Sequence, residues 1–141
     1  MRFMTIVKSR ETTAQPSPAL IDRINQLAED AVKQGTFGGM GGLGPTALGA
    51  RARLANGKIT VTDGPFTETK ELIAGFWLWQ VRSKEEAIEW LKRAPFDGGE
   101  EVEIRQVFEA EDFGAEFTPE LRQQDERQRQ AIAKNKQRSG K

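Results

Sequence analysis

The chain has 141 residues, room for one domain and too few for two comfortable ones. Lys plus Arg number 21 and Asp plus Glu number 21, so the formal net charge is zero; a chain basic throughout for nucleic acid, or acidic throughout for solvation, is excluded. Histidine, cysteine and tyrosine are absent, which removes disulfides, thiolate nucleophiles, imidazole bases, Ser-His-Asp triads and ordinary zinc sites.

Residues 2–8 alternate as a strand that begins almost at the first residue. Met1-Arg2-Phe3-Met4 opens no long apolar stretch, and no window approaches the ~18 apolar residues of a membrane span. The chain therefore reads as soluble, unexported and cytoplasmic. Ser17-Pro18 is an N-cap followed by Pro at the first helical position. Leu20, Ile21, Ile24, Leu27, Ala28, Ala31 and Val32 then recur at helical spacing, and Gly35 ends a first helix over residues 18–34.

Residues 35–45 hold Gly39-Met40-Gly41-Gly42-Leu43-Gly44, a literal GxGxxG. A dinucleotide fingerprint needs a strand before the glycines and a helix after them. Here a helix precedes and a strand follows, so the run reads as a connection, flexible or tightly folded. Asn56-Gly57 between two alternating runs is the strongest short hairpin signal. A two-residue turn pairs Leu54 with Ile59, Arg53 with Thr60, Ala52 with Val61 and Arg51 with Thr62. One face is then Ala52, Leu54, Ile59 and Val61; the other, with Arg51, Arg53, Lys58, Thr60 and Thr62, is cationic.

Gly64 and Pro65 break that strand, and residues 63–71 read as a turn and a short polar loop. Residues 72–82 form a strong strand. Trp77 and Trp79 lie on one side with Ile73, Gly75 and Val81, while Leu72, Ala74, Phe76, Leu78 and Gln80 lie on the other. Both sides are largely apolar, so the strand is expected at the centre of a sheet, covered on both faces. Ser83-Lys84-Glu85-Glu86 is a capping box for a second helix that ends at Pro95. Residues 101–108 give a last strand. From Thr118 on the chain turns polar: residues 122–141 carry seven cations and two anions. That tail reads as a helical arm or as disorder, beside a domain over residues 1–117.

The order strand, helix, strand, strand, strand, helix, strand indicates an α+β fold, a ferredoxin-like sandwich with two helices on one sheet face. The second face must meet water or a partner. Burying about 150–250 Å² per aromatic ring favours association. The expectation is a homodimer in which two sheets pack face to face as a dimeric α+β barrel.

Asp63-Gly64-Pro65-Phe66, continued by Thr67-Glu68-Thr69-Lys70-Glu71 and by Gly75-Phe76-Trp77-Leu78, resembles the signature of the DGPF group of YCII-related proteins. Glu85-Glu86-Ala87-Ile88-Glu89-Trp90, Glu103-Ile104-Arg105-Gln106-Val107-Phe108 and Glu111-Asp112-Phe113-Gly114 fit it too. The resemblance spans about residues 1–121 and implies a ferredoxin-like dimeric α+β barrel, with little implied about activity. In this family the suspected enzymes pair a His in the first helix with an Asp just after the second. Here the first helix has no His, and Ala94 precedes Pro95. Where many DGPF relatives carry Gly-Leu-His-Pro, this chain has Gly42-Leu43-Gly44-Pro45.

Three functional readings follow. The first is a dimeric small-ligand-binding or regulatory module without imidazole chemistry, its anionic ligand met by Arg51, Arg53 and Lys70, with Trp77 and Trp79 available for stacking. The second is a small enzyme in which Asp63 with Glu68 or Glu71 supplies acid and base and the arginines anchor an anion. The third is a nucleic-acid accessory acting through the basic tail, weakened by the neutral total charge and the tail's lack of aromatics. No cofactor and no metal is called for; a metal here would be a hard cation on oxygen ligands. Asp63 equally suits an Asx-type turn, and the indoles equally suit a core.

Overall fold

The computed structural model describes residues 1–10, 14–66, 72–96 and 98–139. These form two compact units, Met1–Val107 and Phe108–Lys141. In the first, strand β1 (Arg2–Ser9) buries alternate residues Phe3, Thr5 and Val7. Helix α1 (Pro18–Lys33) starts where the Ser17 hydroxyl accepts the Leu20 N–H at 3.2 Å, and it buries Leu27, Ala28 and Ala31.

The glycine-rich run is not a connection. Phe37–Gly42 is strand β2, an edge strand paired antiparallel with β5 (Leu72–Gln80). No alternating pattern marks it, because what it needs from its side chains is their absence. A Cβ on Gly41 would stand 3.0 Å from the Phe76 ring, and one on Gly38 would stand 2.9 Å from the Leu78 carbonyl oxygen. The expected Asn-Gly hairpin is present as β3 (Ala50–Ala55) and β4 (Lys58–Asp63), but as a separate two-stranded sheet.

Helix α2 (Lys84–Leu91) and strand β6 (Glu101–Val107) complete the unit. The main sheet runs β2-β5-β1-β6, all neighbours antiparallel. This order is compatible with a ferredoxin-like fold in which β3–β4 is inserted between the second and third sheet strands. Ser83 caps α2 by accepting the Glu86 N–H at 3.2 Å, and the Glu86 carboxylate reaches past the cap to the Arg82 N–H at 2.9 Å. Asp30 of α1 and Arg93, just past α2, form an ion pair.

Both helices lie on the tryptophan side of the sheet. Trp77 and Trp79 join Phe3, Val7, Leu27, Ala31, Val81, Ala87 and Trp90 in one core. Trp79 is fully buried and stacks on Trp90 with centroids 5.4 Å apart. The expectation that the indoles demand a second copy is therefore corrected: this chain's own helices cover them. The other sheet face carries Met4, Ile6, Phe76 and Leu78, registered across β1 and β5 and half-buried.

In the second unit, Phe113 meets Phe108 edge-on at 5.5 Å and stacks on Phe117 at 5.6 Å. The basic tail is helical, α3 (Pro119–Ser139), supported by i,i+4 contacts such as Arg129 to Asp125 at 2.7 Å. Among the described residues no helix is long and apolar enough to cross a membrane.

Among the described residues of the Met1–Val107 unit, two carboxylates tie stability to pH. The Arg82 backbone N–H is the main cause holding Glu86 below the ordinary 4.5, and the hydrogen bond from Lys8 does the same for Glu103. Depressed folded-state values mean that the unfolded chain binds more protons in acid. Their stabilisation is complete above the unfolded value and disappears as pH falls through the folded ones. Thermal melts between pH 6 and pH 3 are expected to show a falling midpoint, with a shallower fall in Glu86→Gln/Glu103→Gln. An equal fall in that variant would assign acid sensitivity to other groups.

Candidate functional site

The site is built on the hairpin. Asn56 and Gly57 both take positive φ, 51° and 70°, the pairing a two-residue turn of this hand requires. That turn fixes the register Leu54↔Ile59, Arg53↔Thr60, Ala52↔Val61 and Arg51↔Thr62, as the sequence pattern indicates. Alternation then sets Arg51, Arg53, Lys58, Thr60 and Thr62 on one face.

A short 3₁₀ turn, Thr46–Leu48, precedes the hairpin. The Gly64 N–H donates to the Gly49 carbonyl at 2.9 Å and extends the ladder by one rung. Gly64 has no room for a side chain: a Cβ there would fall 1.7 Å from the Thr46 carbonyl oxygen. The chain is thus turned so that the Phe66 N–H faces the Thr46 hydroxyl at 3.4 Å and the Phe66 ring lies under the Arg51 guanidinium, 4.0 Å from its centroid.

Arg51, Arg53, Thr60, Thr62, Pro65 and Phe66 line one open groove of about 1020 Å³, together with Ala52 and Leu54. Among the described residues no carboxylate lies within ion-pair distance of either guanidinium. Two planar cationic forks beside two hydroxyls suit a carboxylate or phosphate, and the ring supplies a flat apolar wall.

The other residues expected from sequence are placed differently. Asp63 ends β4 opposite Ala50, exposed, on the hairpin face away from Arg51 and Arg53. Glu68, Lys70 and Glu71 lie outside the described residues. Trp77 and Trp79 sit in the core with their N–H groups engaged, Trp77 with the Met40 sulfur at 3.1 Å and Trp79 with the Thr5 hydroxyl at 3.0 Å. Neither indole offers a face for a ligand, which corrects their assignment as stacking residues. Among the described residues no cluster of three or more Asp or Glu is placed to hold a metal ion. The GxGxxG run has an edge strand through its first glycines and a 3₁₀ turn after it, so it presents no helix N-terminus to a pyrophosphate.

Phe66 and Pro65 are the groove residues that sequence reasoning missed. Thr60 and Thr62 were legible as cross-strand partners of the arginines, but Phe66 reaches them only through the turn at Gly64.

The comparisons with known proteins give the chain a family and leave the chemistry open. The family model for the YCII-related domain matches residues 1–111. An uncharacterized protein of Rhizobium meliloti (strain 1021) is 39% identical over 61 residues, which is 43% of this chain. The match spans about half of that relative, 49% of its length. The chain belongs to the YCII-related family.

Proposed function

We propose that this YCII-related protein is a dimeric small-ligand-binding or regulatory module, working without imidazole chemistry, whose ligand is a small anion held by Arg51 and Arg53. The observation that carries the reading is the groove itself. Two guanidiniums without carboxylate partners among the described residues, two threonine hydroxyls and the Phe66 ring line one space on one side of a hairpin. A carboxylate or phosphate supplies the charge that this face lacks, and bidentate Arg geometry gives it orientation. The dimer closes over the second sheet face, where Met4, Ile6, Phe76 and Leu78 are apolar and only half-buried. The resemblance to the DGPF group supports the same barrel-like pairing.

The test is a thermal-shift titration with inorganic phosphate and small di- and tricarboxylates. Stabilisation should grow with ligand concentration as mass action requires, by about 2.7 kcal/mol at a hundred times Kd. Arg51→Ala/Arg53→Ala should abolish the shift, because both donors leave. Its unliganded midpoint should move little, since both side chains are exposed. No shift with any of these anions, or an equal shift in the double variant, would overturn the reading.

A further inference from the structure

The two arginines of the groove are not placed alike. Register pairs Arg51 with Thr62 and Arg53 with Thr60, so each guanidinium has its own hydroxyl across the strand gap. The pairs are two rungs of one ladder, about 7 Å apart along it, because two residues of an antiparallel strand advance roughly 3.4 Å each. Phe66 makes the rungs differ. It follows the last pair of the hairpin, Ala50 with Asp63, and its N–H meets the hydroxyl of Thr46, which precedes β3. The ring is therefore at the base of the hairpin, and the Arg51 guanidinium is held there, 4.0 Å from its centroid. Arg53 lies one rung nearer the Asn56-Gly57 turn, on the side away from the ring.

We infer that the ligand of this groove carries two anionic groups, one for each rung, on a short linear chain: it is a dicarboxylate. This rests on the anion-binding reading above and gives that site a ligand class. A single anion clamped by both guanidiniums would require two like charges to converge. It would also draw Arg51 off the ring that holds it at the base. Two carboxylates a rung apart meet both cations where they stand, each in the planar fork that a guanidinium offers, with a threonine hydroxyl as a further donor. Once one end is bound, the other is held at high local concentration beside the second rung. Length sets the choice among dicarboxylates. An extended carbon chain advances roughly 1.25 Å per C–C bond, so the carboxyl carbons of adipate and pimelate stand about 6 and 7.5 Å apart and bracket the rung spacing.

Isothermal titration calorimetry of the full chain at fixed ionic strength tests this. The probes are the dicarboxylates from malonate to suberate, each beside the monocarboxylate of equal carbon number, and inorganic phosphate. Affinity should peak at adipate or pimelate, about tenfold or more above the matched monocarboxylate, malonate and phosphate. Arg53→Ala, an exposed substitution that leaves the fold intact, should reduce the best dicarboxylate to the level of its matched monocarboxylate. A profile without dependence on length, a maximum at malonate or succinate, or phosphate bound as tightly as adipate would mean that both arginines clamp one anion. Any of these overturns the inference and leaves the anion site standing. Binding of none of these anions overturns the site and the inference with it.

Discussion

Replacing Trp79 with alanine is expected to destabilise the Met1–Val107 unit by about 3–5 kcal/mol, the range for deleting a buried aromatic side chain. Three losses combine. The indole is fully buried, so its removal leaves a cavity between β5 and α2. Its stacking on Trp90 at 5.4 Å and its contact with Trp77 at 6.0 Å disappear. The fully buried Thr5 hydroxyl loses the indole N–H it accepts at 3.0 Å and keeps only its long bond to the Trp77 carbonyl at 3.4 Å. Trp79→Phe, which keeps most of the ring, should recover more than half of the loss. Urea denaturation followed by the fluorescence of the remaining tryptophans measures both. A Trp79→Ala cost below about 1 kcal/mol would mean that the indole is not a core residue.

The second large effect is expected at Gly64. An added Cβ would sit 1.7 Å from the Thr46 carbonyl oxygen, a backbone atom that no side-chain rotation can move aside. The Gly64 N–H bond to Gly49 and the bond of Phe66 to Thr46 both depend on the same close approach. Gly64→Ala should therefore cost about 1–3 kcal/mol, the usual range for overpacking. Because Phe66 follows two residues later, the variant should also lose anion-induced stabilisation while Trp77, Trp79 and Trp90 keep their native fluorescence. Unchanged stability and unchanged anion response would show that the turn is not held where the groove needs it.

Particular elements explain how far the sequence reaches. The hairpin register was readable because Asn56-Gly57 fixes it locally, with no help from the rest of the chain. Helices α1 and α2 were readable because Ser17 and Ser83 mark their starts. Strand β2 was not, because its glycines answer to the bulk of Phe76 and Leu78 across the sheet, a tertiary fact with no local pattern. In β5, simple alternation puts Ile73 on the tryptophan side and Ala74 on the other. The bulge that pairs Val7 with Gly75 and Lys8 with Ile73 leaves Ala74 as the extra residue, packed against the core, with Ile73 exposed. Which face of a doubly apolar strand the helices cover is likewise decided by the fold as a whole. At the site, the pairing of arginines with threonines could be read from the turn, whereas the reach of Phe66 depends on the packing of Gly64 against Thr46.

The proposed anion site at Arg51 and Arg53 is open to direct measurement. Nuclear magnetic resonance of the arginine Nε–H groups, assigned by substitution and titrated with phosphate or a small dicarboxylate, tests it most directly. Saturable shifts are expected at Arg51 and Arg53 with one common midpoint, while Arg82 and Arg129, already bonded to Glu86 and Asp125, stay put. Uniform, unsaturating shifts across all arginines would contradict it.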